Sequence, residues 1–251
     1  MFTLSELEDA HRLILQSFPS TPQFHWPLLA ARTGAEVWVK HENHTPTGAF
    51  KVRGGLQYVE RLRRRRPAVT GIVSATRGNH GQSLAWAGSR FGLRATIVVP
   101  FGNSTEKNAA MRAFGARLVE HGSDFEEARE RAEKLAEAER LEFAPSFAPE
   151  LVTGVATWAL ELMRAAPLLH ALYVPIGLGS GICGAIGVRD LLGFRTEIIG
   201  VQAAGADAYA QSFIAGRTVT LDRADTLADG IAVRHPDPTA FAAIHAGAAR
   251  I

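Results

Sequence analysis

The sequence predicts an α/β fold with two open, mainly parallel twisted sheets and helices on both faces. Two observations carry that prediction. Strand-length apolar runs alternate with helix-patterned segments, and each run is continuous, as in parallel strands covered on both sides. Three glycine-containing loops sit at strand ends, where open α/β sheets place their ligand sites. At 251 residues, 47% apolar and 21% charged, the chain can bury a sizeable core in one large domain or two smaller ones.

Residues 4–16 alternate apolar and polar at helical spacing, with Ser5 as the candidate cap. Prolines 19, 22 and 27 mark an extended connection, and AEVWVKHE (35–42) has strand character. Residues 50–65 suit a helix that ends before Pro67. GIVSA (71–75) reads as a buried strand, RGNHG as a glycine turn, and SLAWAGSRFG as a helix stopped by Gly92. RATIVVP and RLVEHG are further strands around the helix TEKNAAMRAFGA. FEEARERAEKLAEAER is a charged surface helix. TGVATWALELMRAA is helical, ALYVPIG and TEIIGVQ are strands, and GSGICGAIGVRDLLG between them turns from glycine loop into helix. The two strand–helix blocks cover roughly 71–145 and 150–204, with no internal repeat or low-complexity linker.

Composition excludes several classes. A formal charge of +2 is too small to call for a polyanionic partner, so no nucleic acid is expected. RLRRRRP (61–67) is the one basic cluster, and it reads better as solvated cations at a helix C-terminus than as a nucleic-acid patch. The longest apolar runs, such as ATIVVP, are far too short to span a bilayer. The N-terminus carries early acidic residues and no apolar signal core, so the cytoplasm is the default. The single Cys183 rules out an internal disulfide or a cysteine-rich zinc site.

Three loops carry candidate chemistry. In VPIGLGSGICGAIG (174–187) a strand runs into Gly177, Gly179 and Gly181, and a helix begins behind them. Converging amides and a helix N-terminus suit a phosphate. Gly179, Gly181 and Gly184 also satisfy G-x-G-x-x-G, but the next strand ends in Gln202 rather than the acidic residue a dinucleotide ribose wants. That weakens the nicotinamide reading without removing it, and a plain tight turn is the bland alternative. SATRGNHGQS (74–83) is a second strand–turn–helix, sized for a carboxylate. His80 lacks a paired histidine at ligand spacing, so a structural hydrogen-bonding role outweighs a metal or catalytic one.

The third loop contains Lys51, in PTGAFKVRGG. Only four of the 27 basic residues are lysines. Burial lowers a lysine's pKa and frees a neutral amine, which can form a Schiff base; arginine cannot. Alone, Lys51 reads as a surface lysine on an amphipathic helix. Together with a phosphate cradle and a carboxylate-sized turn, it suits pyridoxal 5′-phosphate, whose aldehyde needs an amine and whose phosphate needs donors.

The chain also resembles the fold type II pyridoxal-phosphate enzymes, whose fold is tryptophan synthase β-like. The similar branch is that of the threonine/serine dehydratases and serine racemases. The segments that carry this are KHENHTPTGAFKVRGG, SATRGNHGQS, ATIVVPFGNSTEKNAAMRAFGA, VPIGLGSGICG and LADGIAVR, in family order over most of the chain. The resemblance implies that Lys51 carries the cofactor, Phe50 lies beside its ring, and Asn79 bonds the ring hydroxyl. Gly177, Leu178, Gly179, Ser180 and Gly181 would form the phosphate loop, and Gly230 a backbone contact near the ring. Thr76, Gly78 and His80 would hold the substrate carboxylate, largely through main-chain amides. It further implies a small domain, 71–145, a large domain from 1–70 and 146–251, and a homo-oligomer such as a dimer.

Three departures from that pattern matter. Arg77 stands where the family has a small residue, serine in the racemases; racemisation is therefore not expected, and Arg77 would recognise an extra anionic group or pair outside the site. Gln202 replaces an acidic ligand of the family's cation site, so no metal is expected. The segment corresponding to HAGAARI continues in family members, which predicts a C-terminally truncated chain. The implied activity is threonine ammonia-lyase (dehydratase) chemistry, β-elimination of threonine or serine to a 2-oxo acid and ammonia. The alternatives are a dehydratase of another 3-hydroxy amino acid such as hydroxyaspartate, a β-replacement synthase, or an inactive relative with a binding role.

Overall fold

The structure, a computed structural model, describes residues 2–251. It divides into two compact units: residues up to Phe50 with Val155–Ile251, and Lys51–Gly154. In the first, α1 (Leu4–Leu15) opens on a capping box. The Thr3 hydroxyl accepts the Glu6 N–H, and Glu6 accepts the Thr3 N–H at 2.8 Å. The cap is thus Thr3 rather than Ser5, because Thr3 holds the extended backbone from which a hydroxyl reaches the first turn. Strands β1 (Gln23–His25) and β2 (Trp38–Lys40) pair antiparallel around α2 (Pro27–Thr33), which has no buried residue. The buried Lys40 Nζ bonds Glu161 Oε2 at 2.7 Å and the Thr21 carbonyl at 2.8 Å, so the charge is matched where water is excluded.

The second unit begins with α3 (Lys51–Arg65) and continues through β3 (Gly71–Ala75), α4 (Asn79–Phe91), β4 (Arg94–Val99), α5 (Thr105–Ala113), β5 (Arg117–Glu120), α6 (Phe125–Ala138) and β6 (Glu142–Phe143). Its sheet is all parallel, in the order β5-β4-β3-β6, with Ser74 opposite Ile97 and Ala75 opposite Val98. Alternation assigns the faces. Val73, Ala75 and Val98 pack against Ala128, Ala132 and Leu135 of α6. Ile97 faces α4, where a Cβ on Gly81 would sit 3.0 Å from it. The helix expected after the RGNHG turn in fact starts inside it, at Asn79. The basic cluster is paired rather than merely solvated: Arg64 with Glu60, Arg65 with Glu142 and Glu150, and Arg66 with Glu142.

Helix α7 (Pro149–Ala165) leads back into the first unit, to β7 (Ala171–Pro175), α8 (Ser180–Leu191), β8 (Glu197–Val201), α9 (Ala208–Ala215) and α10 (Pro238–Gly247). Strands β7 and β8 pair in parallel, and the Gly200 N–H donates to the Arg250 carbonyl at 2.9 Å. This sheet is less covered than its apolar runs predict, since Tyr173 is 63% exposed. Among the described residues no helix is long and apolar enough to cross a membrane.

Candidate active site

The turn that delivers Lys51 is fixed by Thr45, whose hydroxyl donates to the Ala49 carbonyl and accepts the Ala49 N–H, both at 2.9 Å. Gly48 supplies the left-handed residue, φ 67°, that closes it. Lys51 is the first residue of α3. Loss of hydration lowers its pKa to about 8. Roughly a tenth of the side chain is then neutral amine at pH 7, against well under a thousandth for an exposed lysine. The glycines that follow serve packing: a Cβ on Gly55 would lie 2.7 Å from the Ser83 carbonyl oxygen, so α3 and α4 approach backbone to backbone.

The second loop leaves β3 at Thr76, whose N–H donates to the Val98 carbonyl and whose hydroxyl accepts the Gly78 N–H at 3.2 Å. Gly78 is the N-cap of α4, and no side chain caps this helix. Its first-turn amides therefore start without the internal acceptor most helices provide. Asn79 is half-buried at the first helical position. Lys107 of α5 reaches across the same turn: a Cβ on Gly78 would fall 3.4 Å from its Nζ. Arg77 is exposed and makes no hydrogen bond or ion pair among the described residues. His80 is buried, which pushes its pKa down to about 3, and the Lys51 charge pushes the same way.

The glycine loop of the first unit is packed tightly. A side chain at Gly177 would meet the Gly230 carbonyl oxygen at 2.7 Å, and one at Gly181 would meet Phe50 Cζ at 3.3 Å. Gly179 has φ 112° and caps α8 with no side-chain acceptor. Ser180, buried, is the first residue of that helix. The buried Tyr209 donates to the Leu178 carbonyl at 2.8 Å and accepts the Asp237 N–H at 3.1 Å. Gln202 accepts the Ala210 N–H at 2.9 Å in the first turn of α9. Gly184 lets α8 press on α7, 2.9 Å from Ala156 Cα.

Lys51, Thr76, Arg77, Gly78, Asn79 and His80 thus belong to the second unit, and Phe50, Gly177–Gly181 and Gly230 to the first. Unit by unit, the residues present fit the two ends of pyridoxal phosphate: the first unit offers a side-chain-free, uncapped helix start suited to a phosphate, and the second a lysine of lowered basicity suited to an aldehyde. Tyr209 and Lys107 carry no signal in the sequence that marks them. Tyr209 sits alone among alanines in ADAYA, and Lys107 reads as one more surface cation of its helix.

A family model described as pyridoxal-phosphate dependent enzyme matches residues 14–251. The biosynthetic L-threonine dehydratase of Pasteurella multocida is 33% identical over 217 residues, 85% of this chain and 42% of the relative. The L-threonine ammonia-lyase of Thermotoga maritima is 33% identical over 245 residues, 96% of this chain and 60% of the relative. Among solved structures, the processed form of threonine deaminase isoform 2 from Solanum lycopersicum superposes with TM-score 0.86 at 32% identity, over 97% of this chain and 73% of that one. This chain spans less than two thirds of the length of both curated relatives.

Proposed function

The chain belongs to the pyridoxal-phosphate dependent enzymes, and from that premise we propose that it eliminates water from a 3-hydroxy amino acid, threonine first and serine second. The enamine left by loss of water tautomerises to an imine and takes up water, giving a 2-oxo acid (2-oxobutanoate or pyruvate) and ammonia. The observation that carries the reading is Lys51, an amine whose pKa burial lowers to about 8 at the head of α3. The similarity to threonine dehydratases supports the choice of substrate.

When bound, pyridoxal 5′-phosphate supplies an aldehyde for the amine and a conjugated sink for the electron pair left at Cα. The α8 amides and Ser180 would hold its phosphate, Asn79 its ring hydroxyl, with Phe50 and the Gly230 backbone beside the ring. Thr76, Gly78 and the first amides of α4 would orient the substrate carboxylate. Lys51, once released, takes the Cα proton as general base. Its ammonium then protonates the departing hydroxyl, which leaves as water. The test is spectroscopic and chemical. Loaded wild-type protein should absorb near the edge of the visible and form 2-oxobutanoate from threonine; Lys51→Ala should lose both. A mutant that keeps the absorbance overturns the assignment of Lys51.

A second reading is favoured by Arg77, an exposed guanidinium beside the α4 turn with no partner among the described residues. It suits a substrate with a second carboxylate, such as hydroxyaspartate. Arg77→Ala should then lose about tenfold or more in kcat/KM for hydroxyaspartate and little for threonine; equal losses discard this reading. A cytoplasmic location is supported by the one cysteine, buried and unpaired. A homo-oligomer is supported by the exposed apolar side chains of Phe24, Trp26, Leu28 and Leu29.

A further inference from the structure

The Nε2 of His80 is buried without a hydrogen-bond partner among the described residues. The backbone carbonyls of Ala144 and Pro145 lie on the ring's other side, where they favour an N–H. With that N–H on Nδ1, Nε2 offers a lone pair to a dry interior. Native folds rarely leave a buried acceptor unused.

Helix geometry says what lies in front of it. Helices α3 and α4 touch where a Cβ on Gly55 would meet the Ser83 carbonyl oxygen. Lys51 precedes Gly55 by one turn. His80 precedes Ser83 by one turn and accepts the Ser83 hydroxyl at its carbonyl, at 2.8 Å. A period of 3.6 residues puts each on the face its helix turns toward the other. Consistently, the Lys51 ammonium is near enough to disfavour a positive charge on the ring.

We infer that His80 is the positioning residue for the reacting amine: once Lys51 is released and holds the Cα proton, one N–H of its ammonium donates to His80 Nε2. This rests on the reading of Lys51 as that amine. The bond pins one of three N–H groups and so limits where the other two point. His80 takes no proton itself, because burial keeps the imidazole neutral down to about pH 3. The proton on Nζ remains for the departing hydroxyl.

Two variants separate this role from a structural one. His80→Asn keeps an N–H donor at the Nδ1 position and removes the acceptor; His80→Gln places an amide oxygen near the Nε2 position. We expect His80→Asn to lower kcat for threonine about tenfold with KM changed less than about twofold, cofactor absorbance intact, and His80→Gln to recover most of the loss. Equal kcat in His80→Asn and wild type, or no advantage of His80→Gln, overturns the inference. A measurement on wild type stands if either variant fails to fold. L-alanine has no β-leaving group, and its displacement of Lys51 is followed by the cofactor absorbance. At saturation the ¹⁵N resonance of His80 Nε2 should move upfield, as an acceptor nitrogen does on gaining a donor. Absorbance that changes while Nε2 stays put overturns the role of His80 alone. Absorbance that never responds, together with a Lys51→Ala variant that keeps it, overturns the premise and the inference with it.

Discussion

Lys51 answers to its surroundings more than to its neighbours in sequence. An ammonium at the head of α3 loses hydration, and its pKa falls to about 8. The sign matters for chemistry: the amine attacks an aldehyde only when neutral, and below pH 8 the neutral fraction falls about tenfold per pH unit. Uptake of pyridoxal phosphate by cofactor-free protein should accordingly quicken about tenfold from pH 6 to 7, and level off above about 8. Stopped-flow absorbance reads this directly. A rate that keeps climbing past pH 10 would mean an ordinary, hydrated lysine. Two residues on, Arg53 is fully buried, a feature its place in KVRGG does not announce. The motif shows that a basic residue follows, but burial of that side chain depends on contacts made by distant segments.

Helix starts sort by what caps them. Helices α1, α5, α6 and α10 begin behind Thr3, Ser104, Asp124 and Asp237, each accepting a first-turn N–H. Helices α4 and α8 begin behind Gly78 and Gly179 with no such acceptor, in the two loops that sequence chemistry selects; α2, which opens on Pro27, and α9 also lack a cap from their own N-cap side chain. An uncapped start is the arrangement a ligand anion completes. The α8 start is held by Tyr209, so Tyr209→Phe strands the Leu178 carbonyl and the Asp237 N–H. We expect a loss of about 1–3 kcal/mol in unfolding free energy and weaker cofactor binding. Denaturant titration with and without pyridoxal phosphate checks both, and an unchanged cofactor affinity would detach Tyr209 from the loop's function.

These loops were legible in advance because glycine, proline and a buried apolar run such as GIVSA leave local marks, and β3 is buried at all five positions. Tyr209 left none, since its partners are 28 and 31 residues away. RGNHG has the composition of a turn, so the sequence alone puts the start of α4 after it rather than at Asn79. Its Asn79 and His80 become helical where α4 packs on α3 through glycines.

Local stability should differ widely across the molecule. Strands β3 and β4 are paired on both edges and covered by α4 and α6, so their amides open only with large parts of the fold. Helix α2 is the opposite case: no residue of it is buried, Leu28 is 84% exposed, and the adjoining Phe24 is 53% exposed. A seven-residue helix without a buried face has little to hold it. In hydrogen exchange read by mass spectrometry, Gly71–Ala75 and Arg94–Val99 should be the slowest peptides, and Pro27–Thr33 should exchange orders of magnitude faster in dilute protein. Protection of Pro27–Thr33 that rises with protein concentration would fit a second copy covering those apolar side chains. Protection as strong as that of β3 at the lowest concentration would sink the expectation, because α2 would then be held by contacts its exposure denies.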